Sequence, residues 1–296
     1  KKWRRSGWWI VSVHEFRVQV GPAAFRLGSA WKRPLDQLAE LYRDYPTPEI
    51  PDYSVRLEAV SFLRRFIRPS VAINGDYMLP DAAPLPLAQA LLAAEMAMNL
   101  QMALGWRRHL LLHASAVEKD GKALIMTGAS GSGKSTLAAM LGCKGWRFMG
   151  DEFVLLDLVT GEAVPFPRLI SLKNEAIGAM QATALDGRFG PLMTGTPKGD
   201  VRHLVPARDA IRAMTEPARP ALLLFPSFGF DPVVREIGAS EVFMRLTQAS
   251  TNYVALGEAG FTALTRFIKA VPARAIDYRD GIQAEGLVDR LWSELA

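Results

Sequence analysis

Two short stretches hold residue types at spacings able to do chemistry. The first is Gly128-Ala-Ser-Gly-Ser-Gly133-Lys134-Ser135, which fits the pattern G-x-x-x-x-G-K-[ST]. Glycines let successive backbone N–H groups turn inward and surround phosphate oxygens. The positive end of the following helix adds to the attraction. The expected cradle comprises Gly128, Ala129, Ser130, Gly131, Ser132, Gly133, Lys134, Ser135 and Thr136. Lys134 would reach the β- and γ-phosphates, and the Ser135 hydroxyl would ligate Mg²⁺. A plain glycine-rich turn before a helix has no reason to carry Lys-Ser at this offset. The stretch points to a nucleotide, expected as ATP with Mg²⁺, and not yet to a reaction.

The second stretch is Gly150-Asp151-Glu152, on what reads as the next strand after the loop helix. In open α/β sheets ligands gather at the carboxyl ends of strands. Asp151 at such an end would take a proton from an attacking hydroxyl, and Glu152 would join Ser135 in supporting the metal. The alternative is an acidic turn between two strands. Lys198 falls within 187–201, a segment rich in Gly, Pro and Thr. That composition predicts a mobile loop whose lysine folds over the γ-phosphate. The alternative is a solvated lysine.

Certain elements must hold these residues in place. Apolar Ala123–Thr127 predicts a buried strand before the phosphate loop, and Ser135–Leu141 predicts a helix after it. His109–Val117 reads as one apolar strand, closed by a turn at Asp120-Gly121. Arg147–Met149, Phe153–Leu158 and Ala221–Phe225 read as further strands. Tyr253–Ala270 reads as a helix interrupted by glycine, and Ala284–Leu295 as a last helix. Ahead of this core, residues 12–27 alternate as half-buried strands do, and Pro34–Arg43 reads as a short helix. Strands are expected over 53–67 and 70–79, with Asn74-Gly75 as a hairpin turn. A long apolar helix over 87–104 follows. Its Gln89, Glu95, Asn99 and Gln101 would be costly in hydrocarbon, so it predicts a buried helix and not a membrane span.

The chain has 296 residues, 49% apolar and 22% charged, as ordinary globular proteins are. A single cysteine excludes an intrachain disulfide and a Cys-based zinc site. The net charge of +5 sits wholly in residues 1–111, with 15 Lys and Arg against 10 Asp and Glu; the remainder carries 20 of each. Lys1, Lys2, Arg4 and Arg5 supply most of that excess, so nucleic-acid binding is not expected. The apolar run at Trp8–Val11 is too short for a signal peptide, which predicts a cytoplasmic protein.

Taken together, residues 109–180 resemble the bacterial HPr kinase/phosphorylase family. The resemblance runs through His113-Ala-Ser, Asp120-Gly-Lys, the phosphate loop and Gly145-Trp-Arg-Phe-Met-Gly-Asp-Glu-Phe. The whole chain is similar to the HPr kinase-related kinase A subgroup. It shares Leu41-Tyr-Arg-Asp-Tyr-Pro46, Thr196-Pro-Lys-Gly199 and Asn252-Tyr-x-x-Leu-Gly257 with that subgroup. The resemblance implies Asp151 as base towards a protein serine, Glu152 as the second acid, and His113 as a neighbour tuning that base. The family's Ile-Arg-Gly-Leu-Gly segment is replaced here by Arg168-Leu-Ile-Ser-Leu-Lys173-Asn-Glu175. Arg168, Lys173 and Glu175 are candidates to reach phosphate or magnesium from that segment. Neither a reverse phosphorylase reaction nor HPr as acceptor is implied.

The expected fold is α/β: a P-loop kinase core of HPr kinase type, a mixed sheet with flanking helices, plus a small β-rich N-terminal domain. The expected boundaries are 1–82 for that domain, 83–108 for a linking helix, and 109–296 for the ATP-binding core. The expected function is ATP- and Mg²⁺-dependent phosphoryl transfer to a hydroxyl, a serine of a peptide or protein. Asp151, His113 and Lys134 would be catalytic. A homo-oligomer is compatible with the resemblance, and no membrane or nucleic-acid partner is expected. The alternatives are a small-molecule kinase of related core and a non-catalytic ATP-gated regulator.

Overall fold

Alternating apolar residues make β1 (His14–Val20) and β2 (Ala23–Ser29) an antiparallel hairpin with Val18, Val20, Phe25 and Leu27 buried. It belongs to a computed structural model that describes residues 14–79 and 82–295. The basic end and the Trp8–Val11 run lie outside the described residues. The hairpin turns at Gly21 with φ +50°, where an added Cβ would meet Pro165 O at 2.1 Å. Only glycine allows the hairpin to approach the later chain so closely.

From β2 the chain crosses through α1 (Lys32–Leu41) to β3 (Tyr53–Ala59), which pairs parallel with β2. Antiparallel β4 (Ser70–Gly75) and the two-residue β5 (Leu85–Pro86) complete a five-stranded sheet in the order β1-β2-β3-β4-β5. The expected turn at Asn74-Gly75 is absent: Gly75 pairs with Val55 inside β4. A two-residue turn needs its partner strand directly after it, whereas β5 returns only at Leu85 and pairs with the start of β4. The chain reverses earlier, through Val60–Pro69. That segment lacks alternation and forms a 3-10 turn at Leu63–Arg65, which cuts short the strand expected over 53–67. Helix α2 (Ala90–Gly105) packs on β3 and β4. Its apolar cluster continues into Phe153, Phe166, Leu169 and Met214.

The stretch expected as one strand over 109–117 is two. β6 (His109–Leu112) and β7 (Ala114–Lys119) part at His113 and enter different sheets. β6 pairs with β10 (Val154–Asp157), which also carries β11 (Ala163–Val164). β7 lies between β8 (Lys122–Thr127) and β9 (Arg147–Gly150), antiparallel to both. Between β8 and β9 runs α3 (Lys134–Cys143). β12 (Ile170–Lys173), β13 (Met193–Thr196) and β14 (Gly199–Leu204) form a three-stranded sheet, with α4 (Glu175–Thr183) following β12. The segment expected as a mobile loop over 187–201 is thus largely the β13–β14 hairpin, where glycines provide a tight turn and bulge.

The short α5 (Arg208–Arg212) leads to β15 (Arg219–Phe228) and the edge strand β16 (Val233–Glu236). Then come α6 (Ala239–Ala249), α7 (Tyr253–Ala270, broken at Gly257), β17 (Ala273–Tyr278) and α8 (Gly281–Ser293). The central sheet has the order β16-β17-β15-β8-β7-β9 and is mixed. β8, β15 and β17 are parallel, and β9 runs with them across the opposed β7. Leu124, Met126, Leu222, Leu224 and Ile276 face one cluster with α3 and α8, while Ile125, Leu223, Phe225 and Ala275 face α6 and α7. Strands buried on both faces read as unbroken apolar runs, which is why they are visible in the sequence. Each buried Leu or Ile contributes roughly 1.5–3 kcal/mol. Among the described residues no helix is long and apolar enough to cross a membrane.

Candidate active site

The carboxyl end of β8 meets the amino end of α3 through residues 128–133. Gly128, Gly131 and Gly133 have φ of +154°, +83° and +93°. Gly133 starts α3, and a Cβ there would meet Tyr278 Oη at 2.2 Å. Tyr278, at the end of β17, donates from Oη to Ser132 O at 3.2 Å and so backs the loop. Burial pushes its phenol up to about 12, which keeps it protonated as a donor.

Lys134 folds under the loop. Its Nζ donates to Gly128 O at 2.9 Å and Ala129 O at 2.8 Å. Burial lowers its pKa, while Asp151 and Glu152 oppose that shift. The Asp151 carboxylate lies at the end of β9 and is only 3% exposed. Its Oδ1 accepts from Ser115 Oγ at 2.6 Å and from Ser135 Oγ at 2.9 Å. Burial raises its pKa, and the Glu152 charge raises it further. Oδ2 of Asp151, which borders the cleft, is buried and makes no hydrogen bond. Buried polar atoms left this way in a cleft mark where a polar ligand would bond.

Glu152 has a left-handed backbone, φ +70°. For a residue with a Cβ this costs about 1–2 kcal/mol. The kink sends its side chain towards His113, whose Nε2 lies 3.4 Å from Glu152 Oε2. His113 sits at the break between β6 and β7, so the break itself delivers the imidazole. It contacts Glu152 and reaches Asp151 only through that neighbour. The His113 hydrogen bond, against the cost of burial and with help from Lys198, brings the Glu152 carboxyl down to about 2.

These groups line one cavity of about 770 Å³. His113, Ser130, Gly131, Gly133, Lys134, Ser135, Thr136, Asp151, Glu152 and Lys198 all border it, as do Lys173 and Glu175. Arg168 does not. It is buried against Glu95 and Asn99 of α2, and Tyr42 and Tyr45 close the same cluster. Its charge is spent holding α2 to the later chain. Lys198 occupies the β13–β14 turn, which is clamped from two sides. Asn174 Oδ1 accepts from Asp200 N at 3.1 Å, and Gln89 Nε2 donates to Thr194 O and Gly195 O, each at 3.2 Å.

The ammonium groups of Lys134, Lys173 and Lys198 therefore face the carboxylates of Asp151, Glu152, Glu175 and Asp280 around a glycine-lined cradle. This set suits a polyphosphate with a divalent cation. Among the described residues no group of three or more His, Cys, Asp or Glu gathers for a metal; Ser135 and Glu152 border the cavity where they could hold a cation together with phosphate oxygens. Sequence reasoning misses Ser115, Tyr278 and Gln89. A serine inside an otherwise apolar strand is a usable signal for Ser115. Nothing local marks Tyr278 or Gln89.

Neither a family model nor a curated protein matches the chain. Among solved structures it is similar to the Hpr(Ser) kinase/phosphatase from Coxiella burnetii, at 15% identity and a TM-score of 0.28. That match covers 62% of this chain and 98% of the other. A likeness at this level carries no statement about activity.

Proposed function

We propose that the protein transfers the γ-phosphate of ATP, with Mg²⁺, to a hydroxyl, and that the acceptor is a serine of a peptide or protein. The observation that carries this reading is Asp151. Its Oδ1 holds the Ser135 hydroxyl of the phosphate loop, while its Oδ2 is left without a partner in the same cavity. A glycine-rich turn with no phosphate chemistry to perform would need no such carboxylate.

The loop N–H groups and Lys134 would bind and orient the phosphates. Lys134 would exchange its two carbonyl partners for phosphate oxygens as they arrive. Bound Mg²⁺ would supply positive charge across the phosphates. Asp151 Oδ2 would accept the proton as the acceptor oxygen bonds to phosphorus and the bond to the leaving ADP oxygen breaks. Glu152 would support the cation, with His113 holding its side chain in place. Lys173 and Lys198 would balance charge on the transferring group.

Incubation with γ-labelled ATP, Mg²⁺ and cell extract tests the reading. The expected result is a labelled protein or peptide whose label is on serine, lost with Asp151→Asn. Label appearing only on a small molecule would replace the acceptor class. No label in any fraction, with nucleotide still bound, would replace the kinase by an ATP-gated regulator.

A further inference from the structure

We propose that a groove on the N-terminal sheet docks an acidic, apolar segment of the acceptor polypeptide. This inference rests on the phosphoryl-transfer reading and gives its acceptor a binding site. The loop between β3 and β4 carries Phe62, Leu63, Phe66 and Ile67, all 62–65% exposed. Large apolar side chains crowded on one surface mark a partner site. No acidic residue falls between Glu58 and Asp76, while Arg64, Arg65 and Arg68 do. Arg64 and Arg68 are exposed, and neither meets a carboxylate among the described residues.

The loop is held in a fixed position. Trp31 Nε1 donates to Arg65 O at 3.1 Å, and Arg65 Nη2 donates to Ala30 O at 3.2 Å. Beside it lies a groove of about 650 Å³, lined by Val60, Arg64, Arg68, Pro69, Pro86 and Leu87 among others. Two such guanidinium groups against apolar walls select a segment carrying both carboxylates and apolar side chains. The concave shape suits a chain and not the plane of a bilayer. Pro84 and Pro86 flank Leu85 and blunt strand addition, so side chains and not a backbone ladder would carry the contact.

The groove is also joined to the cavity. Leu87 and Ala88 line it, and the next residue is Gln89, which holds the β13–β14 hairpin through Thr194 and Gly195. That hairpin presents Lys198 to the cavity. A segment seated in the groove would press on the residues that anchor this lysine.

The test is an array of short peptides varied in acidic, basic and apolar content, probed with the full chain in the absence of nucleotide. The best binder is then titrated by fluorescence anisotropy. Binding is expected to concentrate on peptides that are both acidic and apolar. The Arg64→Glu, Arg68→Glu double variant should weaken it roughly tenfold or more. Both side chains are exposed, and calorimetry with ATP should show the variant binding nucleotide as the parent does. Equal binding of basic peptides, no binder at all, or no loss in the double variant overturns the proposal. Binding to phosphatidylserine vesicles in place of the peptides overturns it too, in favour of a lipid surface. Peptide binding needs no phosphate transfer, so the two readings fail separately. A chain that docks acidic peptides and phosphorylates nothing refutes the kinase alone. A chain that labels its acceptor equally well with both arginines reversed refutes the groove alone.

Discussion

Ser135 Oγ donates a 2.9 Å hydrogen bond to Asp151 Oδ1. The first sits in the opening turn of α3 and the second at the end of β9, with β7 lying between the strands that lead to them. This bond ties the phosphate loop to the acid and frees the other carboxylate oxygen for a second task.

Replacing Asp151 by Asn keeps the shape and an acceptor for Ser115 and Ser135, but removes the proposed base. Phosphate transfer should fall by roughly 10²–10⁴-fold, the usual contribution of a placed general base. Nucleotide binding by calorimetry should persist. A variant transferring phosphate at the parent rate would remove Asp151 from the chemistry.

Lys134→Ala removes the buried ammonium that the loop carbonyls hold. A charge-assisted hydrogen bond to phosphate contributes about 1.5–3 kcal/mol. ATP affinity should therefore weaken by roughly 10- to 100-fold in a titration. An unchanged dissociation constant would mean the phosphates bind elsewhere.

The pH dependence follows from the two acids. As the proposed base, Asp151 would act only when deprotonated, and burial with the Glu152 charge raises its pKa. On acidification it takes up a proton at higher pH than an ordinary carboxyl, so activity is lost on that limb. Glu152, held down to about 2, remains charged through the same range. Glu152→Gln removes the neighbouring charge and should shift the acid limb of the pH–rate profile to lower pH. A shift to higher pH would contradict this coupling.

The Arg168–Glu95 pair predicts a stability effect away from the cavity. Both side chains are buried, and Glu95→Ala would leave the guanidinium beside Asn99, the Tyr42 hydroxyl and the backbone carbonyl of residue 95, none of which carries a compensating charge. Loss of one partner of a buried pair costs about 3–5 kcal/mol. Denaturant unfolding should show a drop of that order, with ATP affinity of the folded fraction unchanged. A midpoint equal to the parent's would show that the pair contributes nothing net.

Gln89→Ala removes two bonds to the Lys198 hairpin. Amide exchange over 193–200 should accelerate by roughly fivefold or more, for about 1 kcal/mol of lost hydrogen bonding. Equal protection in parent and variant would mean that Asn174 and the turn's own bonds hold it without Gln89.

Part of the site is legible in the amino-acid sequence alone. The glycine-rich loop is recognisable because its pattern lies in consecutive residues: glycines that accept positive φ, then Lys134 and Ser135 in the first turn of α3. The strands Ala123–Thr127 and Ala221–Phe225 are visible because burial on both faces leaves an unbroken apolar run. Local signals mislead where pairing decides the outcome. Asn74-Gly75 has turn chemistry but sits paired inside β4, and glycine-rich 187–201 forms a hairpin once β12 offers an edge. An apolar run such as His109–Val117 carries no mark of the sheet each half will join.

The glycine-rich loop, the mixed α/β character and the nearness of Asp151 and Glu152 are written along the chain. The remaining relationships exist only in the folded molecule: Ser115 and Ser135 share one oxygen of Asp151, and His113 faces Glu152. Arg168 is spent on Glu95, and Gln89 reaches the Lys198 hairpin. The first group follows from covalent neighbours and periodicity. The second joins residues between 16 and 106 positions apart, whose meeting depends on strand order and burial.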